Sequence, residues 1–175
     1  MSGRFYTPVV FAGVILAVVI TLKVLNWIPS VFEEGLLQQY GSVEEAKAAL
    51  HMKDVHVPSY FPPRLLWPPS RILAQTKPFD AVVMEFRDKE KGDVALVIVQ
   101  SASERFRPDR KIEMVQTKER VTYLLKGREA LLDIGACRNE EPCCTLSWKE
   151  GPYRMTLVMK SVPVDLIRVA ESMVH

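Results

Sequence analysis

The chain is poor in the residues and patterns that usually carry chemistry. Its three histidines, His51, His56 and His175, lie far in sequence from its three cysteines, so no mixed Cys/His ligand set is in view. No G-x-S-x-G elbow, Walker loop, G-x-G-x-x-G turn or H-E-x-x-H helix is present. The C-x-x-C redox motif and the C-x-x-C-H haem motif are missing as well. Charge of one sign is also scarce: 23 Lys and Arg against 21 Asp and Glu leave a net charge of +2. That balance excludes nucleic-acid binding driven by bulk charge. There is no internal repeat and no low-complexity tract. These absences leave no side chain on which to place a catalytic step, and the expectation is a protein without enzymatic activity, cofactor or metal.

What is present begins at the N-terminus. Residues 8–22 carry no charged side chain, Lys23 interrupts, and residues 24–32 are again mostly apolar. A helix needs about 20 residues to cross a hydrocarbon core, and residues 8–32 supply them. Tyr6 and Trp27 stand where the two interfaces would fall, and Lys23 can snorkel to one of them. A cleaved signal peptide would show a small-x-small site after its apolar core, and the residues after Leu22 make a poor one. A helix buried in a soluble domain would show a polar side. The expected organisation is a short cytoplasmic tail (1–7), a transmembrane anchor (8–32), a linker (33–41) and an extracytoplasmic domain (42–175). Arg4 and the short tail favour that orientation in the inner membrane.

About 140 residues remain after the anchor, the size of one domain. In SVEEAKAAL (42–50), Ser42 and Glu45 form a capping box and predict a short amphipathic helix. Residues 55–70, VHVPSYFPPRLLWPPS, hold five prolines and exclude a helix interior or central strand. Tyr60, Phe61, Leu65, Leu66 and Trp67 are interleaved with them. This segment reads as an extended strap that covers the core, or as an aromatic groove for a ligand or partner.

From residue 70 the apolar period is close to two. SRILAQTK, AVVMEFR and DVALVIVQS read as strands, the last two as a hairpin around Gly92. Residues 101–110 read as a loop. Within it Arg105, Arg107 and Arg110 form a candidate anion contact with Lys111 beside them; the plainer reading is a solvated loop with internal ion pairs. KIEMVQT, RVTYLLKG and REALLDIGAC are further strand candidates, and residues 143–160 form a closing hairpin. PVDLIRVAESM (163–173) predicts a final helix with Pro163 in its first turn. The fold class is therefore α+β: a curved antiparallel sheet of five to seven strands packed on one face by an N-terminal and a C-terminal helix.

All three cysteines lie within eight residues, Cys137, Cys143 and Cys144. Outside the cytoplasm disulfides persist. Cys137 ends one strand candidate and Cys143 or Cys144 begins the next, so a bond across the hairpin mouth is expected from Cys137 to Cys143 or to Cys144. Period-two alternation puts Cys144 with Leu146 and Trp148 on the core face, which favours Cys143 as the partner.

The order SVEEAKAAL, VPSYFP, VMEF, VALVIVQS and LSWKEGPYRMTLVMKSVPVDLIRVAESM resembles a bacterial family of membrane-tethered extracytoplasmic domains of unknown function, over residues 42–173. Pro58, Tyr60, Pro62, Trp148, Tyr153, Glu171 and Ser172 carry the likeness. Such domains occur in proteins similar to anti-sigma factors and their regulators. The fold is more loosely similar to the half-barrels of periplasmic lipoprotein carriers. The seven residues before the anchor are too few for a sigma-binding domain, so the resemblance implies a sensing or accessory role. Two functions are expected on these grounds. One is an interaction module that binds another envelope protein. The other is a module holding a lipid or apolar peptide on the sheet face formed by Met84, Phe86, Val97, Val99, Trp148 and Met155.

Overall fold

The computed structural model describes residues 15–23, 37–50, 54–109 and 111–174. The chain divides into two compact units, 1–36 and 37–175. In the first, residues 15–23 are helical with exposed side chains. Among the described residues no helix is long and apolar enough to cross a membrane. The expected anchor, 8–32, lies mostly outside them.

The second unit is one eight-stranded antiparallel sheet with two helices, which bears out the α+β class. Its strands are β1 (Gln38–Tyr40), β2 (Arg71–Gln75), β3 (Ala81–Arg87), β4 (Val94–Ser101), β5 (Met114–Leu125), β6 (Arg128–Cys137), β7 (Pro142–Glu150) and β8 (Tyr153–Met159). Helix α1 spans Val43–Leu50 and α2 spans Pro163–Glu171. The spatial order is β1-β2-β3-β4-β8-β7-β6-β5. Two four-stranded meanders thus meet along β4 and β8, paired from Leu96↔Met159 to Ser101↔Arg154. The unit begins at Leu37, so part of the expected linker is strand β1, which pairs with β2.

The helix starts follow their sequence signals. The amide of Glu45 donates to Ser42 Oγ at 3.0 Å, while Glu45 Oε2 accepts from the amide of Gly41 at 2.8 Å. The carboxylate therefore serves the residue before the cap rather than the cap itself, while the Ser42 hydroxyl satisfies one free N–H of the first turn.

One face of the sheet carries the larger core. Ile72, Met84, Phe86, Leu96, Ile98, Leu146, Trp148, Met155 and Leu157 pack there against Ala46 and Leu50 of α1 and Leu166, Val169 and Ala170 of α2. The expectation that only this face is covered is corrected. Leu73, Val83, Val97, Val99 and Val158 form a second core on the opposite face, closed by Phe106 and Ile112. Those two side chains come from the connection 102–113, which links β4 to β5 at the far edge of the sheet. An apolar strand such as VALVIVQS, buried on both faces, is the natural occupant of this position.

Two strand candidates, KIEMVQT and RVTYLLKG, are one strand, β5. It is exposed along most of its length because it forms the edge. Its pairing with β6 shifts register at Met114/Gln116 and at Thr117/Glu119, and such bulges bend and blunt an edge. At its other end Lys126 and Gly127 both take positive φ (47° and 85°), the two-residue turn that matches strand twist. The strand end is fastened to α2: Tyr123 Oη donates to Glu171 Oε1 at 3.2 Å, and Lys126 Nζ donates to the carbonyl of Val174 at 2.9 Å.

Candidate functional site

The strap, residues 55–70, runs alongside α2 in the opposite sense. Ser59 Oγ donates to the carbonyl of Ser172 at the C-terminal end of α2 (3.1 Å), and Arg64 Nη2 donates to the carbonyl of Lys160 before its N-terminal end (2.6 Å). Its start is held by a buried amide on β4. Gln100 Nε2 donates to the carbonyl of Asp54 (2.6 Å), and Gln100 Oε1 accepts from the amide of His56 (2.9 Å). Its end is laced to β3: the amide of Leu66 donates to the carbonyl of Arg87 (2.9 Å) and that of Ser70 to the carbonyl of Glu85 (2.8 Å). Prolines suit this course because much of the strap forms no ladder and needs few donors.

The five strap residues singled out from sequence divide by this lacing. Leu65 is buried and Phe61 packs on the core. Phe61 lies 5.1 Å from both Phe86 and Trp67, measured between ring centroids, and Trp67 stacks on Phe86 at 6.2 Å. Yet Trp67 is 55% exposed, Leu66 42% and Tyr60 36%. The strap is thus a cover on its inner side and an exposed apolar ridge on its outer side.

The sheet face named for an apolar ligand is filled. Met84, Phe86, Trp148 and Met155 are buried in the larger core, while Val97 and Val99 belong to the opposite face and are buried there. The register Met84↔Ile98 and Phe86↔Leu96 causes this division. Trp148 also has its own polar partner, Glu150 Oε2, to which its Nε1 donates at 3.2 Å.

Beside the strap, three chain reversals bring charge together. Arg64, the β3–β4 turn (Asp88, Lys91, Asp93), Glu141 and Lys160 surround a depression of about 240 Å³. The ion pairs are Arg64–Asp88 (3.1 Å), Lys91–Glu141 (2.7 Å), Lys160–Asp93 and Lys160–Glu141 (3.6 Å). Burial acts to raise the pKa of Asp88. The amides of Glu90 and Lys91 and the Arg64 guanidinium outweigh it and hold the carboxyl below its ordinary value. Hydrogen bonding from Lys91 likewise lowers Glu141, and the same bond raises Lys91. Three acids and three bases thus form a clasp, in which Asp93 Oδ1 is buried without a hydrogen-bond partner.

The cysteines pair as favoured from alternation. Cys137 and Cys143 are bonded, with Cα atoms 5.3 Å apart, and lie in the second core. Cys144 is buried and free on the other face, donating to the carbonyl of Ser161 at 3.3 Å. Burial pushes its thiol up to about 11, which removes the thiolate needed for reactivity. Among the described residues no group of three or more His, Cys, Asp or Glu could hold a metal ion.

Of the candidate anion contact in the 101–110 loop, two arginines are described. Arg105 is exposed, Arg107 Nη1 donates to the carbonyls of Glu104 (2.8 Å) and Phe106 (2.9 Å), and Arg110 lies outside the described residues. Sequence reading missed the role of Gln100, and of Phe106 and Ile112. A single glutamine in an apolar strand was the only signal for the first.

Comparison of the chain with family models, with curated proteins and with solved structures finds no match.

Proposed function

We propose that this chain is a membrane-anchored interaction module. Its domain, held outside the inner membrane by residues 8–32, docks another envelope protein through the ridge of Leu66 and Trp67. The observation that carries this reading is that ridge: two large apolar side chains, 42% and 55% exposed, on a segment laced to β3 on both sides. An exposed apolar patch on an ordered segment marks an interaction surface. Tryptophan is the residue most enriched at the energetic centre of interfaces. A mount that is already ordered lowers the entropic cost of binding, and a tether raises the effective concentration of the domain toward its membrane neighbours.

The resemblance to tethered extracytoplasmic domains agrees with this reading, and the matched charges of the clasp offer no competing chemistry. A lipid or apolar peptide under the helices gains no support, since the side chains named for it are packed.

The test is in-cell photo-cross-linking of the full-length protein, with a benzophenone residue placed at Leu66 or Pro63, followed by mild-detergent extraction and mass spectrometry. The expected result is one envelope protein joined at these positions and lost in Trp67→Ala. Cross-links only from sites remote from the strap, such as Thr122 on β5, would overturn it.

A further inference from the structure

The second sheet face changes character toward the β3–β4 turn. Along β2 and β3 its apolar residues, Leu73 and Val83, give way to Arg71, Glu85 and Arg87, which alternation keeps on the same face. Arg71 stands opposite Glu85 in the ladder, and Arg87 opposite Val94. The register shift after Phe86 turns Val94 back toward this side, as a bulge does. Across from them the β4–β5 connection presents Lys111. Together with Gln39 and Ser70 these residues line a depression of about 430 Å³.

Its charges do not cancel. Glu85, whose side chain is 5% exposed, faces Arg71 at 3.7 Å and fixes that guanidinium at the wall. Asp93, which also lines the depression, is engaged by Lys160. Among the described residues neither Arg87 nor Lys111 has a carboxylate within ion-pair distance, although both are exposed. Two cations without a carboxylate partner therefore share one concavity.

From this convergence we infer that the depression formed by Arg71, Arg87 and Lys111 is a binding site for a phosphate-class anion. Two unneutralised positive charges match a phosphomonoester or phosphate dianion better than a single carboxylate. The guanidinium fork of Arg87 suits tetrahedral oxygens, and Lys111 adds a point charge. Ser70 Oγ, which donates to the backbone carbonyl of Glu85 at 3.0 Å, and the Gln39 amide complete a polar rim. Glu85 is a positioning residue for Arg71. The source of the phosphate is a lipid headgroup or a free phosphate. The site is separate from the Leu66–Trp67 ridge and does not depend on it.

The experiment uses the full-length protein in zwitterionic detergent, titrated with inorganic phosphate at constant ionic strength against chloride, with heat or thermal stability as readout. Saturable binding is expected. Arg87→Gln and Lys111→Gln each weaken it about tenfold, the loss of one charge-assisted contact, and Arg105→Gln leaves it unchanged. Both test positions are exposed, so the variants fold, and their chloride melting curves verify it. Native mass spectrometry of protein released from phosphatidylglycerol nanodiscs identifies the source. A retained lipid that is lost in Arg87→Gln indicates a headgroup, and phosphate binding without a retained lipid indicates a free phosphate. No saturable phosphate binding by the wild type, or binding indifferent to both Arg87→Gln and Lys111→Gln, would overturn the site.

Discussion

A side chain at Gly135 would set its Cβ 1.9 Å from the carbonyl oxygen of Gln116. The bulged start of β5 folds so closely over β6 that only a glycine fits beneath it. The obstacle is backbone, which cannot rotate away as a side chain would. Gly135→Ala is therefore expected to destabilise the domain by about 2–4 kcal/mol, the range of severe overpacking. Urea unfolding reads this as a lower midpoint with an unchanged slope. A midpoint equal to wild type would mean that β5 does not lie this close.

Gln100 predicts a second cost of burial. Gln100→Leu leaves the carbonyl of Asp54 and the amide of His56 without their partner, at about 1–3 kcal/mol for each group that water does not reach. Hydrogen exchange at His56 should accelerate well before exchange in β4 does. Unchanged protection at His56 would show that the strap start is held by other means.

Phe61 and Trp67 separate packing from display. Phe61→Ala removes a ring wedged between Phe86 and Trp67, and a loss of about 2–4 kcal/mol is expected. Trp67→Ala should cost about 1 kcal/mol, since roughly half of its surface is already in water. Equal losses in denaturant titrations of the two variants would make the ridge a packing element and remove the ground for docking.

Removing the disulfide closes off a different question. Cys137→Ser with Cys143→Ser opens a short loop and should cost about 2–3 kcal/mol. In the native double variant at pH 8, Cys144 should stay unlabelled by a thiol reagent, because its thiol is pushed up to about 11. Rapid native labelling would show that the site beside Ser161 is open to water.

The clasp gives an acid dependence of definite sign. Asp88 and Glu141 are held below their ordinary values of 3.8 and 4.5. A carboxyl depressed on folding contributes stability in full above its unfolded pKa, and that contribution disappears as pH falls through the folded pKa. Stability should thus decline as pH drops below about 5. Asp88→Asn should flatten the decline, measured as urea midpoints from pH 7 to pH 3. A wild-type midpoint constant over that interval would contradict the clasp.

The legible parts of the fold were those with a local signature. The alternation of AVVMEFR, the turn at Gly92 and the capping box at Ser42 each act over a few residues. The cysteine pairing was legible because alternation alone separates Cys143 from Cys144. Three features were not legible, for physical reasons. β5 is exposed on both sides around Lys118, Glu119 and Arg120, so no apolar face marks it as one strand. Phe106 and Ile112 stand alone in a polar connection, with no period to show that they close a core. The sequence does not separate Val97 and Val99 from Met84 and Phe86, because a strand buried on both faces reveals no face of its own, and only the register settles it. The strap was legible as a strap; which of its side chains face outward depended on the lacing to β3. The convergence of Arg71, Arg87 and Lys111 lies in three separate segments and could not be read along the chain.

The topology of the sheet decides when each strand can find its partner during synthesis. β3 and β4 can pair as soon as both exist, but the other side of β4 is reserved for β8, the last strand of the sheet. Until β8 has been made, VALVIVQS presents an open apolar edge with no charge to guard it. Biogenesis of this protein therefore passes through a stage in which its best-formed strand is also its chief aggregation hazard. A holding chaperone would act at this stage, and a chain truncated before β8 should accumulate as insoluble material.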